Sequence, residues 1–356
     1  MPDLVPVILL GVGNVGRALV RQIIDLRELH AHRLRTRFDL VAVADSDGAI
    51  FEPAGFSDAT LETLLSYKAG GGKFRQHELG YDQGDLTGLV DVAGDDGAIV
   101  VDLSASAATI PALESALDRG YGVVTANKLP LAADLLTWQR LTDHRRMRWE
   151  ATVGAGLPVI ITLHNLLDTG DEVQRIEGAL SGTLGYLSSE LEKGTLFSVA
   201  VREAKACGYT EPDPRQDLGG LDAARKALIL ARMLGYPLEL ADVEVESLYP
   251  ADMDSLSVAE FLAALPALDE MYAARTAQAR ADGKRLRYVA EVGGGQARVG
   301  LQPLAPGNRV AQVSSSDSIV VFHTARYSDN PLVVSGRGAG AVNTAAGVLS
   351  DMMALV

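Results

Sequence analysis

Between positions 208 and 226 the sequence concentrates residues able to move protons and bind cations. Gly208-Tyr209-Thr210-Glu211-Pro212-Asp213-Pro214 is followed by Asp217 and then by Gly220-Leu221-Asp222-Ala223-Ala224-Arg225-Lys226. Pro212 and Pro214 stiffen an extended loop around Glu211 and Asp213. On a helix starting near Gly220, Asp222 and Lys226 are spaced i, i+4 and share one face. Ala223, Ala224, Ala227, Leu228, Ile229 and Leu230 surround Lys226 with apolar groups, so its ammonium would be partly desolvated beside carboxylates. Glu211, Asp217 and Asp222 can bind an ammonium group, and a lysine can exchange a proton with an alcohol or polarise an aldehyde. Such a site suits a small amino alcohol. The same Asp222–Lys226 spacing also fits a plain surface pair, worth roughly a few tenths of a kcal/mol.

A second constellation lies near the start. Gly11-Val12-Gly13-Asn14-Val15-Gly16 follows an apolar run at 5–10 and opens a helical pattern through Leu19, Ile23 and Leu26. In that context G-x-G-x-x-G is a dinucleotide fingerprint. Gly11 permits the tight turn, Gly13 lets a pyrophosphate approach the backbone, and Gly16 lets helix and strand pack closely. The helix N-terminus then offers free N–H groups and the positive end of its dipole. Asp45 closes the next apolar run, 38–44, where a carboxylate can accept hydrogen bonds from the adenosine ribose and favour NAD, or serve equally well as a turn or cap residue. It stands further from the fingerprint than the usual ~20 residues, an excess that the intervening helix and the basic stretch 30–37 absorb. An NADP 2′-phosphate would need a cation, for which Arg35 and Arg37 are candidates.

These groups need a frame. Apolar runs at 5–10, 38–44, 98–103 and 121–125 alternate with helical patterns, the one at 111–119 closed by Gly120. Such alternation predicts an α/β fold with a Rossmann-type, doubly wound parallel sheet. The stretch 52–96 reads as loops with one or two helices. From about Glu150 the pattern changes: a strand at 173–180, helices at 184–191, 198–206 and 220–234, then a hairpin of 286–292 and 297–301 about Gly293-Gly294-Gly295. With strands at 318–327 and 332–335, these predict a second, α+β domain with a mixed sheet.

With 356 residues, 47% hydrophobic and 22% charged, the chain has the composition of a two-domain soluble protein. Its net charge of −14, from 46 acidic and 32 basic residues, repels phosphate backbones, so no nucleic-acid partner is expected. No apolar run reaches membrane length and no signal-like start is present, so a cytoplasmic location is expected. A single cysteine, Cys207, excludes an intrachain disulfide and reads as a small packed residue. The six histidines, His30-x-His32 included, lack paired zinc spacing. Neither a G-x-S-x-G elbow nor a Walker loop occurs.

The runs quoted above resemble those of homoserine dehydrogenases, as do Trp149-Glu150-Ala151-Thr152-Val153-Gly154-Ala155-Gly156-Leu157-Pro158, Ser181-Gly182-Thr183-Leu184-Gly185-Tyr186 and the turn Asn127-Lys128. The likeness extends from the glycine fingerprint to Gly336-Arg337-Gly338-Ala339-Gly340. It is closest to the short form without an aspartate kinase or C-terminal regulatory domain. The resemblance implies an oxidoreductase that interconverts L-homoserine and L-aspartate 4-semialdehyde with NAD or NADP, serving threonine and methionine synthesis. It implies that Lys226 and Lys128 are catalytic, either one carrying the proton, and that Glu211, Asp217, Asp222 and Thr183 bind substrate. Ser104, Lys128 and Gly340 would lie beside the cofactor. Glu150, Val153, Ala155 and Leu157 would hold a monovalent cation, sodium, largely through backbone carbonyls. A homodimer formed through the second domain is implied, with a tail helix packed back on the first. The domains are then 1–149 with 336–356 for the dinucleotide, and 150–335 for substrate and dimerisation. Trp149, where a histidine or tyrosine can stand, and Gln216, in place of a common acidic residue, depart from the family pattern. A related Rossmann dehydrogenase for another amino-acid aldehyde or amine is one alternative; an NAD-sensing module without turnover is the other.

Overall fold

The computed structural model describes residues 2–313 and 317–356. The chain forms two units, 1–156 with 340–356 and 157–339. Their boundaries fall slightly past the 149/150 and 335/336 read from the sequence.

The first unit is built on a seven-stranded sheet. Its strands are β1 (Asp3–Leu10), β2 (Thr36–Ala44), β3 (Gly48–Phe51), β4 (Tyr81–Asp82), β5 (Ile99–Asp102), β6 (Gly122–Thr125) and β7 (Met147–Arg148). They lie in the order β4-β3-β2-β1-β5-β6-β7. The five from β2 to β7 in that order run parallel, while β3 and β4 add an antiparallel edge. Val7, Ile8 and Leu9 of β1 and Ile99, Val100 and Val101 of β5 are fully buried, as strands covered on both faces require. Chain order reverses between β1 and β5, so their carboxyl ends open the crevice in which such sheets bind ligands. The antiparallel edge escapes a sequence reading because strands of four and two residues carry no measurable alternation.

The helix Asn14–Asp25 turns Leu19, Val20 and Ile23 inward. The tail helix Ala341–Met353 adds Ala345, Val348, Leu349 and Met352 to the same core, each large apolar side chain contributing about 1.5–3 kcal/mol by burial. A Cβ on Gly347 would stand 2.6 Å from the Ala155 carbonyl oxygen, so the tail helix meets the 150–156 loop at glycine distance.

The second unit holds a six-stranded sheet of β8 (Val173–Ala179), β9 (Glu244–Val245), β10 (Arg285–Gly293), β11 (Gln296–Leu304), β12 (Ser318–Thr324) and β13 (Leu332–Gly336). The order is β13-β12-β8-β10-β11-β9. Only β9 and β11 pair in parallel; the other neighbours are antiparallel. The β10–β11 hairpin turns on Gly294 and Gly295, with φ of 59° and 80°, the two left-handed residues a tight hairpin turn needs. Helices Gly182–Lys193, Phe197–Ala206 and Leu221–Met233 stand close to their expected places. The sequence reading assigns no element to 235–285, where helices Val258–Ala264 and Asp269–Ala281 occur. The latter buries only Tyr272 and Ala279, too narrow a stripe to give a helical pattern.

Candidate active site

The glycine fingerprint divides its tasks as steric needs dictate. Gly11 has φ of 99°, and a Cβ there would lie 2.7 Å from the backbone of Leu103 and Ser104; only glycine meets both demands. A Cβ on Gly16 would strike the Gly11 carbonyl oxygen at 2.2 Å, whereas one on Gly13 would meet nothing within 4 Å. The outer glycines therefore close helix on strand, and the middle one faces open space. Gly13 is also the N-cap of the helix Asn14–Asp25, with no side-chain cap, so the first N–H groups are left for a ligand. A cavity of ≈ 950 Å³ lies here, lined by Gly11, Val12, Gly13, Asp45, Lys68 and Ser104 among others. Asn14, Val15 and Gly16 do not line it. Asn14 Oδ1 accepts from Arg17 Nη2 at 2.8 Å, and Val15 packs on the core.

Asp45 reaches this cavity but is already engaged. Its Oδ1 accepts from the N–H groups of Asp47 and Gly48, each at 2.9 Å. Its Oδ2 accepts from Phe74 N at 3.0 Å and from the Lys68 ammonium. Burial opposes its ionisation, but Lys68 and the three backbone donors outweigh that and hold the carboxyl below its usual range. With its lone-pair directions taken, Asp45 builds the turn after β2. The arginines proposed for a 2′-phosphate stand elsewhere: Arg35 ends a helix with φ of 55°, and Arg37 donates to Asp39 at 2.7 Å. Arg17, Lys68 and Lys73 are the cations lining the cavity. Sequence reasoning missed Lys68 because its partner lies across a loop.

At the carboxyl end of β5 stands Asp102, fully buried and likewise missed. It accepts from Ser104 N at 2.9 Å, Thr109 Oγ1 at 2.8 Å and Asn127 Nδ2 at 2.9 Å. Asn127 in turn accepts from Leu129 N at 3.1 Å through Oδ1, capping the short helix Lys128–Leu131 that begins with Lys128. Gly340, with φ of 107°, is the N-cap of the tail helix and does not line the cavity.

In the second unit the acid–base residues come together. Gly220 has φ of 72°, and a Cβ there would lie 2.2 Å from the Tyr288 hydroxyl; it starts the helix Leu221–Met233. Lys226, its side chain 13% exposed, donates to the Leu180 carbonyl at 2.6 Å and pairs with Asp222 at 2.7 Å. Thr183 Oγ1 lies 2.6 Å from the Tyr209 carbonyl and 3.1 Å from Asp217 Oδ1. Glu211 N donates to Asp217 Oδ2 at 2.8 Å. Burial pushes the Asp217 carboxyl up, as do the nearby charges of Glu211 and Asp222, against the hydrogen bonds from Glu211 N and Thr183. Asp213 serves the loop instead. Arg215 grips it through Nε and Nη2 and holds the carbonyls of Met253, Asp254 and Leu256, so Asp213 stays below the usual carboxylate range.

The 150–156 loop begins with a buried Glu150, whose N–H donates to Asp351 at 2.7 Å. Gly154 and Ala155 follow with φ of 87° and 57°. Among the described residues no cluster of three or more His, Cys, Asp or Glu could hold a metal ion, and no helix is long and apolar enough to cross a membrane.

A doubly wound sheet with a cavity at its glycine turn, joined in sequence to a unit bearing a lysine beside a carboxylate, is the plan of a dinucleotide-dependent α/β oxidoreductase. Residues 11–148 match the family model described as homoserine dehydrogenase, NAD binding domain, and residues 158–353 the one described as homoserine dehydrogenase. The chain belongs to the homoserine dehydrogenase family. It is similar to homoserine dehydrogenase of Schizosaccharomyces pombe, 38% identical over 372 residues that cover 99% of this chain and 95% of that protein. It is 36% identical over 359 residues to a bifunctional aspartokinase/homoserine dehydrogenase of Zea mays, covering 98% of this chain but 38% of that one. The chain thus spans less than half the length of the bifunctional relatives it matches. A crystal structure of a Candida auris protein of unknown function has a TM-score of 0.87 at 33% identity, covering 99% of this chain and 98% of that one.

Proposed function

We propose that the chain is an NAD(P)-dependent homoserine dehydrogenase that interconverts L-homoserine and L-aspartate 4-semialdehyde. The observation that carries this is the Lys226 ammonium, held by Leu180 O and Asp222, with Asp217, which accepts from Glu211 N, on the segment before its helix. A bound dinucleotide supplies or takes the hydride. Lys226 gives a proton to the aldehyde oxygen in reduction and takes one from the hydroxyl in oxidation. Asp217 and Glu211 receive the substrate ammonium, and Thr183 keeps Asp217 in register. Lys128 polarises the reacting oxygen or relays its proton.

Either dinucleotide is accommodated. Gly13 leaves room for the pyrophosphate. Lys68 and Lys73, the latter 3.7 Å from Asp47, offer positive charge at the turn after β2. A comparison of kcat/KM for NAD and NADP reads the preference; a strong bias to NAD would set the two lysines aside. Glu150, Val153 and Ala155 hold a monovalent cation, which steadies the loop that meets the tail helix; Leu157 opens the second unit. A homodimer through the second unit is supported by β13, whose outer edge is unpaired in the sheet, and a sedimentation mass twice that of the chain checks it. The working location is the cytoplasm.

The decisive experiment adds L-homoserine with NAD or NADP to purified protein and follows absorbance of the reduced nicotinamide. A rise is expected. Turnover of 2,6-diaminopimelate or saccharopine instead would point to a related dehydrogenase. Dinucleotide binding without turnover of any of them would point to a sensing module.

A further inference from the structure

The geometry points to Asp102 as a positioning residue that, through the Asn127 amide, fixes Lys128 for its part in hydride transfer. The inference rests on the catalytic role proposed for Lys128.

Asp102 ends the strand beside β1, at the reversal of chain order, and is fully buried. The donors to its carboxylate are uncharged: Ser104 N and the Ser104 hydroxyl, Thr109 Oγ1 and Asn127 Nδ2. Burial pushes its carboxyl up against the pull of these hydrogen bonds. Burying a carboxylate opposite neutral donors costs free energy, which its hydrogen bonds offset only in part. Its hydrogen bonds run to two segments that matter for the cofactor. Ser104 N belongs to the loop that lines the cavity and abuts Gly11. Asn127 Nδ2 also reaches Ser106 O at 2.8 Å and Ser104 Oγ at 3.2 Å.

The amide of Asn127 has two ends, and only one arrangement satisfies both neighbours. Nδ2 faces an acceptor that cannot donate when ionised, and Oδ1 faces Leu129 N at 3.1 Å. Rotating the amide would set oxygen against oxygen at Asp102 and donor against donor at Leu129. Asp102, together with the Ser106 carbonyl, therefore holds the amide in the orientation that caps the helix starting at Lys128. An amide at position 102, which offers either a donor or an acceptor, would remove the charged share of that hold and leave Ser106 O to keep Nδ2 in place.

Steady-state kinetics with homoserine and NAD(P), together with melting curves, test this on Asp102→Asn, Lys128→Ala and the double variant. Asp102→Asn is expected to lower kcat about 10-fold or more while KM for homoserine stays within about 3-fold. In the Lys128→Ala background the same change is expected to cost nothing further, because the two act as one unit. Losses that multiply in the double variant would overturn the positioning role while leaving Lys128 in place. Lys128→Ala at wild-type kcat would remove the Lys128 reading, and the inference with it. Should Asp102→Asn not fold, Asn127→Ser serves: serine still caps a helix but cannot also span to Asp102. It is expected to reproduce the fall in kcat, and wild-type turnover would overturn the inference.

Discussion

Lys226 donates to Leu180 O and pairs with Asp222, and kinetics read beside melting curves separate its chemistry from its packing. Lys226→Ala is expected to lower kcat by about 10²–10⁴ with melting close to wild type. Near-native turnover would take Lys226 out of the mechanism. Asp217 sets a second expectation. Its carboxyl is raised mainly by burial, and only the ionised form attracts an ammonium group. Homoserine kcat/KM is therefore expected to fall on the acid side at a pH above the ordinary aspartate range. Asp217→Asn should weaken substrate binding and erase that acid limb; an unchanged limb would assign it to another group. The Glu211–Lys226 run was legible because acid, proline and i, i+4 spacing are local signals. The turn built on Asp45 was not legible, because its donors come from residues 47, 48, 68 and 74. Asp102 was invisible for a related reason: a carboxylate at a strand end declares nothing until Thr109 and Asn127 fold against it.

Among the elements, the glycine turn and the tail helix each offer a contrast that kinetics and melting can read. Gly13→Ala meets no atom within 4 Å, so it should fold normally and raise KM for the dinucleotide. Gly16→Ala places a methyl 2.2 Å from Gly11 O, so it should lower the melting temperature first. The reverse pattern would contradict the division of labour drawn here. On the tail helix, burial pushes the Asp351 carboxyl up to about 7; Glu150's charge adds to this, against the Glu150 N hydrogen bond and Arg148. Between about pH 4 and 7 the unfolded chain has released a proton that the folded chain keeps. Asp351 thus contributes stability that is fully present below about pH 4 and is lost as pH rises through 7, on the order of 4 kcal/mol. Asp351→Asn still accepts from Glu150 N and should flatten that slope, melting above wild type at pH 8. Equal slopes in the two proteins would count against the buried acid. The long helices and parallel strands were legible from periodicity, whereas β3, β4 and β9 are too short for any pattern.

At the scale of the molecule, the first unit is discontinuous: residues 340–356 return to complete what 1–156 begin. Ala345, Val348, Leu349 and Met352 fill the same core as Leu19, Val20 and Ile23. Sequence pattern showed that a second domain starts near Glu150, but no pattern says where a chain returns; that came from family likeness. The consequence concerns synthesis on the ribosome. A nascent chain stalled before residue 340 has every strand and helix of its second unit, while the nucleotide unit, made first, still lacks one wall of its core. The unit begun earliest is the one closed last, and during that interval its apolar groove stands open to chaperones or to aggregation.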